Sequence, residues 1–320
     1  VPTSHDAGPE RPAWELTVDA RDDQAGRVVA LVAEGYLTSF LARERGVRAD
    51  DVEELHQFRV DLRRTRSVLH SFRGVLPEQR RRAASSAMRE MTAPTSAVRD
   101  LDVLGESLGS LLGDVLSDDT LRVAGMVEAR RLAARAEMLE ALDGPLTARL
   151  VQTWRSVSEV YVIGGGPAPL AHRRMGPVAD AALWDAYRRG RAAGKAATRS
   201  DDLEHWHELR KALKGYRYLL EAFAPLWERD GRKAVRRELR ALQDHIGGLQ
   251  DLRVQAVVFE ELAREADAVG WRSTANLARG VARRLRDDIE QTRRGCRAAW
   301  SAFDTHETRD LMRSLTGRAS

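Results

Sequence analysis

Apolar residues recur every three to four positions along most of the chain, and the strict alternation that marks a half-buried strand is scarce. This spacing predicts helices over roughly 20–46, 51–74, 78–97, 100–116, 118–141 and 145–162. It resumes over roughly 177–196, 201–227, 230–246, 250–268 and 271–304. Between the two sets lies Gly164-Gly165-Gly166-Pro167-Ala168-Pro169, where the backbone is too free, or too short of donors, to continue a helix. Residues 1–18 carry Pro2, Pro9 and Pro12 and little periodicity. The expected organisation is a tail or linker over 1–18, a first helical bundle repeat over 19–163, a Gly/Pro linker over 164–170, a second bundle repeat over 171–308 and a C-terminal tail over 309–320. Short links place consecutive helices antiparallel, so the expected fold class is all-α.

The two helical sets align on each other at an offset of 151 residues without a gap. Tyr36 falls on Tyr187, Asp50-Asp51 on Asp201-Asp202, His56 on His207, Arg59 on Arg210, and Leu62 on Leu213. Arg63 falls on Lys214, Arg66 on Arg217, Leu69 on Leu220, Phe72 on Phe223, and Asp100-Leu101 on Asp251-Leu252. An internal duplication is the simplest origin of such a register. It predicts two antiparallel four-helix bundles related by a pseudo-twofold axis.

Composition narrows the classes. Of 320 residues, 43% are hydrophobic and 31% charged, which excludes an intrinsically disordered chain. No uninterrupted apolar run approaches the length of a membrane span. The single cysteine, Cys296, excludes an intrachain disulfide and a multi-cysteine zinc site, fits a reducing compartment, and is read as a small core residue. Trp154, Trp184, Trp227, Trp271 and Trp300 are read as packing residues. Basic residues number 52 against 48 acidic, and only four are lysines. Arginine grips phosphate or carboxylate bidentately and keeps its charge, so the positions of the arginines matter more than the net +4.

Those positions converge on one repeated element. His56-Gln57-Phe58-Arg59-Val60-Asp61-Leu62-Arg63-Arg64-Thr65-Arg66 and its copy His207-Glu208-Leu209-Arg210-Lys211-Ala212-Leu213-Lys214-Gly215-Tyr216-Arg217 both follow acidic residues suited to a helix start. At about 100° per residue, His56, Arg59, Arg63 and Arg66 share one stripe, which His70 extends, and His207, Arg210, Lys214 and Arg217 share its counterpart. Leu55, Phe58, Leu62, Leu69 and Phe72 occupy the adjoining arc. A solvated charged face lies opposite the apolar stripe; here the cations lie beside it, at the core margin, where mutual repulsion is aggravated by desolvation. Either carboxylates from other helices or an external polyanion must offset that cost. Asp100 and Asp251 are expected to neutralise about one arginine per half, which leaves an excess of cations. Each stripe runs about 15 Å, long enough for a chain of phosphates. Arg80-Arg81-Arg82 with Arg89, Arg130-Arg131, Lys233 with Arg236, Arg237 and Arg240, and Arg283-Arg284 either extend the binding surface or form solvated helix faces.

The duplicated His-x-x-Arg-x-x-x-Arg/Lys-x-x-Arg pattern, each copy followed downstream by an Arg/Gln-Asp-Leu segment, resembles the CHAD domain, the conserved histidine α-helical domain, over roughly 20–305. The resemblance implies two four-helix bundles about a basic channel that binds inorganic polyphosphate. Contacts would fall on His56, Arg59, Arg63, Arg66, His207, Arg210, Lys214 and Arg217, with Arg89, Arg131, Arg236, Arg237, Arg240, Arg283 and Arg284 as further candidates. It also implies a cytoplasmic protein, at polyphosphate granules, and a triphosphate-tunnel domain of the CYTH family or another polyphosphate enzyme as a partner. The alternating Glu-x-Glu-x-Lys strand such a tunnel needs is not present in this chain.

The expected function is therefore a non-catalytic polyphosphate-binding module without a cofactor. The alternative is a polyphosphate-metabolising enzyme or an accessory subunit of one, but Gly164-Gly165-Gly166 leads into proline rather than the Lys-Ser/Thr of a P-loop, and no duplicated carboxylate pair offers Mg²⁺ a site. A nucleic-acid binder fits the isoelectric point of about 9.5, yet the aromatics Phe58, Phe72, Trp206 and Phe223 sit on the apolar arc rather than beside the cations. His205 and His207, two apart, point about 200° from each other, which argues against a shared metal.

Overall fold

The computed structural model of the chain describes residues 16–113, 116–162 and 168–318. Residues 164–167 of the expected Gly/Pro linker and most of the N-terminal tail lie outside them; of the rest of that linker, Ala168 is buried and the Leu170 amide donates to the Gly74 carbonyl at 2.8 Å. Ten α-helices are present among the described residues: α1 (Ala25–Arg48), α2 (Val52–Ser71), α3 (Glu78–Leu112), α4 (Asp118–Asp143), α5 (Pro145–Val162), α6 (Met175–Arg199), α7 (Leu203–Ala222), α8 (Arg229–Ala268), α9 (Arg272–Phe303) and α10 (His306–Leu315). Two 3-10 turns, Val18–Arg21 and Ala224–Leu226, complete the order. The chain is all-α, and no strand is present among the described residues.

Short polar links build this arrangement. Asp51 starts α2 by accepting the Glu53 and Glu54 amides at 2.9 and 3.0 Å. Asp202 starts α7 by accepting the Glu204 amide at 2.9 Å. Both caps satisfy donors that the first helical turn leaves open. Asp50, just before α2, has a positive φ of 67°, a conformation Asp tolerates better than most residues. Its carboxylate meets Arg131 at 2.7 Å and Arg135 at 3.0 Å on α4.

Helix α3 runs 35 residues and α8 runs 40, each where the periodicity had suggested two helices. The expected breaks near 98–99 and 247–249 do not occur. The buried stripe keeps its three-four phase through both places: Ala84, Ala87, Met91, Thr95, Val98 and Asp102 in α3, and Leu239, Leu242, Ile246, Leu249 and Ala256 in α8. Continuous packing thereby overrides Pro94 and the Gly247-Gly248 pair.

One buried cluster runs through both sets of helices, from Val28, Leu37, Phe40 and Phe58 to Phe259, Leu285 and Trp300. Helix α1 is long and apolar enough to cross a membrane, but 56% of its apolar window is buried inside the protein, as expected of a core helix. Phe72 and Phe223, 151 residues apart, pack against each other in a tilted pair with ring centroids 4.8 Å apart where the two sets meet. Gly194 admits the Trp300 ring so closely that a Cβ would lie 2.1 Å from it. Cys296 is buried, as its composition suggested. Trp271 departs from the packing expectation: it is 40% exposed, with the Arg122 guanidinium 5.3 Å from its ring centre.

Both ends hold more structure than the periodicity implied. Leu16 and Ala20 are buried, and Arg21 pairs with Asp180 at 2.7 Å while donating to the Leu226 carbonyl. At the other end α10 occupies much of the stretch read as a C-terminal tail from 309; it packs on α6 and α8 and buries Met312.

Candidate functional site

Helices α2 and α7 pack against each other, and this contact brings the two basic stripes face to face. Along it opens a cleft of about 1080 Å³. Its lining includes Arg63, Arg66 and Arg73 from α2 and its C-terminal turn, Arg81, Arg82 and Arg89 from α3, Arg189 from α6, and Arg210, Lys211 and Lys214 from α7. His70 and His207 join them, and Glu208 is the one carboxylate of the lining. Small side chains keep the space open, namely Ser85, Ser86, Thr92 and Ser96 along α3 and Gly215 on α7.

Part of this charge is neutralised within the protein. Glu208 pairs with Lys211. Glu78 takes Arg81 at 2.8 Å and Arg82 at 2.6 Å. Asp251 lies 3.6 Å from Arg210, so it partners one stripe arginine as anticipated. The remaining six, Arg63, Arg66, Arg73, Arg89, Arg189 and Lys214, form no ion pair with any described carboxylate.

The electrostatics record the imbalance. Burial, then the charges of Arg210, Arg63 and Arg217, holds the Lys214 ammonium well below the usual lysine range. Burial and Arg89 depress Arg66. Burial depresses His70 as well, aided by Arg73, Arg189 and Arg81. Arg59, buried behind the cleft, is pushed down to about 10 by desolvation and then by Arg63, against the opposing pull of Asp100. These are the expected effects of gathering like charges away from water, and an anion in the cleft would relieve all of them.

The structure divides the eight stripe residues. Arg63, Arg66, His207, Arg210 and Lys214 line the cleft, whereas His56, Arg59 and Arg217 do not. The His207 Nδ1 lies 3.1 Å from the Gln250 side-chain oxygen, which orients the ring. Arg217 lies 3.7 Å from Glu221, its guanidinium over the Tyr218 ring. Of the further candidates, only Arg89 reaches the cleft. Arg131 is instead held by Asp50 and Asp102, each at 2.7 Å. Arg237 and Arg240 pair with Glu238 and Asp244 on their own helix, and Arg284 donates to the Leu111 carbonyl. Arg236 and Arg283 also lie away from the cleft.

Two lining residues, Arg73 and Arg189, escape sequence reasoning. Their partners at the 151-residue offset are Ala224 and Thr38, so neither carries the repeat signal. No group of three or more His, Cys, Asp and Glu side chains among the described residues is placed to hold a metal ion.

Comparison with known proteins agrees with this architecture. The fold matches the crystal structure of the CHAD domain from the plant Ricinus communis with a TM-score of 0.74 at 25% identity, covering 92% of this chain and 97% of that one. It matches PptA from Streptomyces chartreusis with a TM-score of 0.65 at 17% identity, over 87% and 100% of the two chains, a likeness of fold alone. The uncharacterized proteins MT2285 and Rv2226 of Mycobacterium tuberculosis, from strains CDC 1551 / Oshkosh and ATCC 25618 / H37Rv, are each 27% identical over 271 residues, 82% of this chain and 50% of theirs. The chain thus spans about half the length of these relatives. The family model for the CHAD domain matches residues 31–260, and with the paired stripes and the helical order this places the chain in the CHAD domain family.

Proposed function

We propose that this protein binds inorganic polyphosphate in the α2/α7 cleft and performs no chemistry on it. The observation that carries this reading is the set of six cleft cations without a carboxylate partner among the described residues. A linear polyanion offers closely spaced charge at low cost in shape, and arginine forks match phosphate oxygens bidentately. Nucleic acid fits less well, because Phe58, Phe72, Trp206 and Phe223 are buried in the core and offer no face for stacking.

The scaffold is read as a duplicated bundle. Helices α1–α4 and α6–α9 follow one order, and Phe72 meets its offset partner Phe223 across the boundary. The unit of function is the pair of repeats, since the cleft draws on helices of both. A cytoplasmic setting, at polyphosphate granules and beside a polyphosphate enzyme, follows from this reading.

The test is calorimetric titration of inorganic polyphosphate into wild type, Arg63→Ala, His207→Ala and His56→Ala. Arg63→Ala and His207→Ala weaken binding, the former by roughly tenfold or more, as expected for a lost charge-assisted contact. His56→Ala, outside the cleft, weakens it less than His207→Ala. Absence of binding by wild type, or equal affinity for all four proteins, refutes the assignment.

A further inference from the structure

Comparing α2 with α7 at the 151-residue offset exposes an asymmetry in the seam they share. Where α7 has Gly215, α2 has Arg64; where α2 has Ser67, α7 has Tyr218; where α2 has His70, α7 has Glu221. Gly215, Ser67 and His70 line the open cleft. Their three counterparts, Arg64, Tyr218 and Glu221, are tied to one another instead. Glu221 pairs with Arg64 at 3.1 Å and lies 3.7 Å from Arg217. Both guanidiniums lie over the Tyr218 ring, Arg64 at 5.8 Å and Arg217 at 5.4 Å from its centre. Next to this knot, Asp61 accepts the Ser39 hydroxyl at 2.7 Å and lies 3.4 Å from Arg43. Asp61, Tyr218 and the side chain of Glu221 are largely buried.

Two full basic faces would let an anionic chain run from one side of the seam to the other. Here one face is lined by small residues and free cations, while the other is filled by an aromatic ring and neutralised by two carboxylates. Tyr218, buried and also part of the cleft lining, stands where the two faces meet.

We infer that the cleft is one-ended: the Arg64–Tyr218–Glu221 knot closes the seam, so a polyphosphate chain is held on the α3/α6 side only and does not thread between the repeats. This rests on the proposed polyphosphate reading and adds a footprint limit to it. The residue that sets the limit is Glu221, a specificity determinant outside the binding surface.

The experiment compares wild type with Glu221→Gln, using inorganic oligophosphates of defined length from tripolyphosphate upward, each titrated at several salt concentrations. In wild type the salt slope, which counts displaced counterions, rises with chain length and then levels off. In Glu221→Gln, Arg64 loses the carboxylate it pairs with and becomes available to phosphate. Long chains then bind about tenfold more tightly, the size of one recovered charge-assisted contact, and the slope keeps steepening with length. Tripolyphosphate affinity stays within about twofold, as expected for a distant substitution. The inference is overturned if the wild-type slope climbs without levelling, a result that does not depend on the variant folding. It is also overturned if Glu221→Gln leaves the length profile unchanged or alters tripolyphosphate and long chains alike. Failure of wild type to bind any length instead refutes the polyphosphate reading itself.

Discussion

Lys214 concentrates the conflict that the site embodies. Burial depresses it first, and the charges of Arg210, Arg63 and Arg217 add to that. Its ammonium therefore costs folding free energy in the free protein, a cost that the proposed phosphate ligand would offset. The sign follows from linkage: a base with a depressed native pKa binds fewer protons when folded, so its contribution makes stability rise with pH between its native value and the ordinary lysine range. Lys214→Met is expected to raise the stability of the free protein by about 0.5–2 kcal/mol while weakening polyphosphate binding, as thermal melts and titrations on one preparation would show. Asp61 is the opposite case, a carboxyl pushed up to about 6 by burial despite Ser39 and Arg43. Its contribution to stability falls as pH rises from the ordinary aspartate range to about 6, and Asp61→Asn should remove that slope in denaturant titrations across the interval.

At the scale of elements, the caps and the long helices decide where the stripes sit. Asp51 aims α2, and Asp51→Ala should cost about 1 kcal/mol in chemical denaturation, the usual value of an N-cap. Helix α8 passes through Gly247-Gly248 because its core stripe keeps phase, not because glycine favours a helix. No atom lies within 4 Å of a Cβ built at either position. Gly247→Ala and Gly248→Ala should therefore each stabilise by about 0.5–1 kcal/mol, visible as raised melting temperatures. Helix content was legible from the three-four spacing, and so were the starts of α2 and α7, marked by the acidic residues before them. The false break at 247–249 arose because local propensity at Gly247-Gly248 is weak against the burial of a continuous stripe, whereas the one at 98–99 has no such local cause, Pro94 lying within the helix expected over 78–97. Helix α10 was missed although Thr305 caps its start and Leu311, Met312 and Leu315 gather on one face, because at ten residues it is too short for its periodicity to stand out.

For the whole molecule, the consequence is a surface whose net charge says little and whose cleft says much. Six cleft cations without an ion-pair partner among the described residues set the expected salt response. At about 0.7 counterions per contact, a chain engaging all six gives a log–log slope of about −4, measurable by titration across a salt series. A slope near zero would mean that the cleft cations do not hold the phosphates. Residues 151 apart share a sequence pattern but not always a role: Arg63 and Lys214 both line the cleft, yet His207 lines it and His56 does not, and Arg89 lines it and Arg240 does not. Repetition makes such pairs equivalent on paper, and only their neighbours in space set them apart.

The linear order of residues determined the helical class, the register of the repeat and the existence of two half-buried basic rows, because each depends on spacing within one helix. Which cations remain without a partner was decided by tertiary structure. Arg131 is quenched by Asp50 and Asp102, Arg217 approaches Glu221, and Arg73 and Arg189 arrive at the cleft from outside the repeated motif. The reason is the short range of these interactions: an ion pair acts over a few ångströms, and such distances between remote residues come into being only when the helices pack.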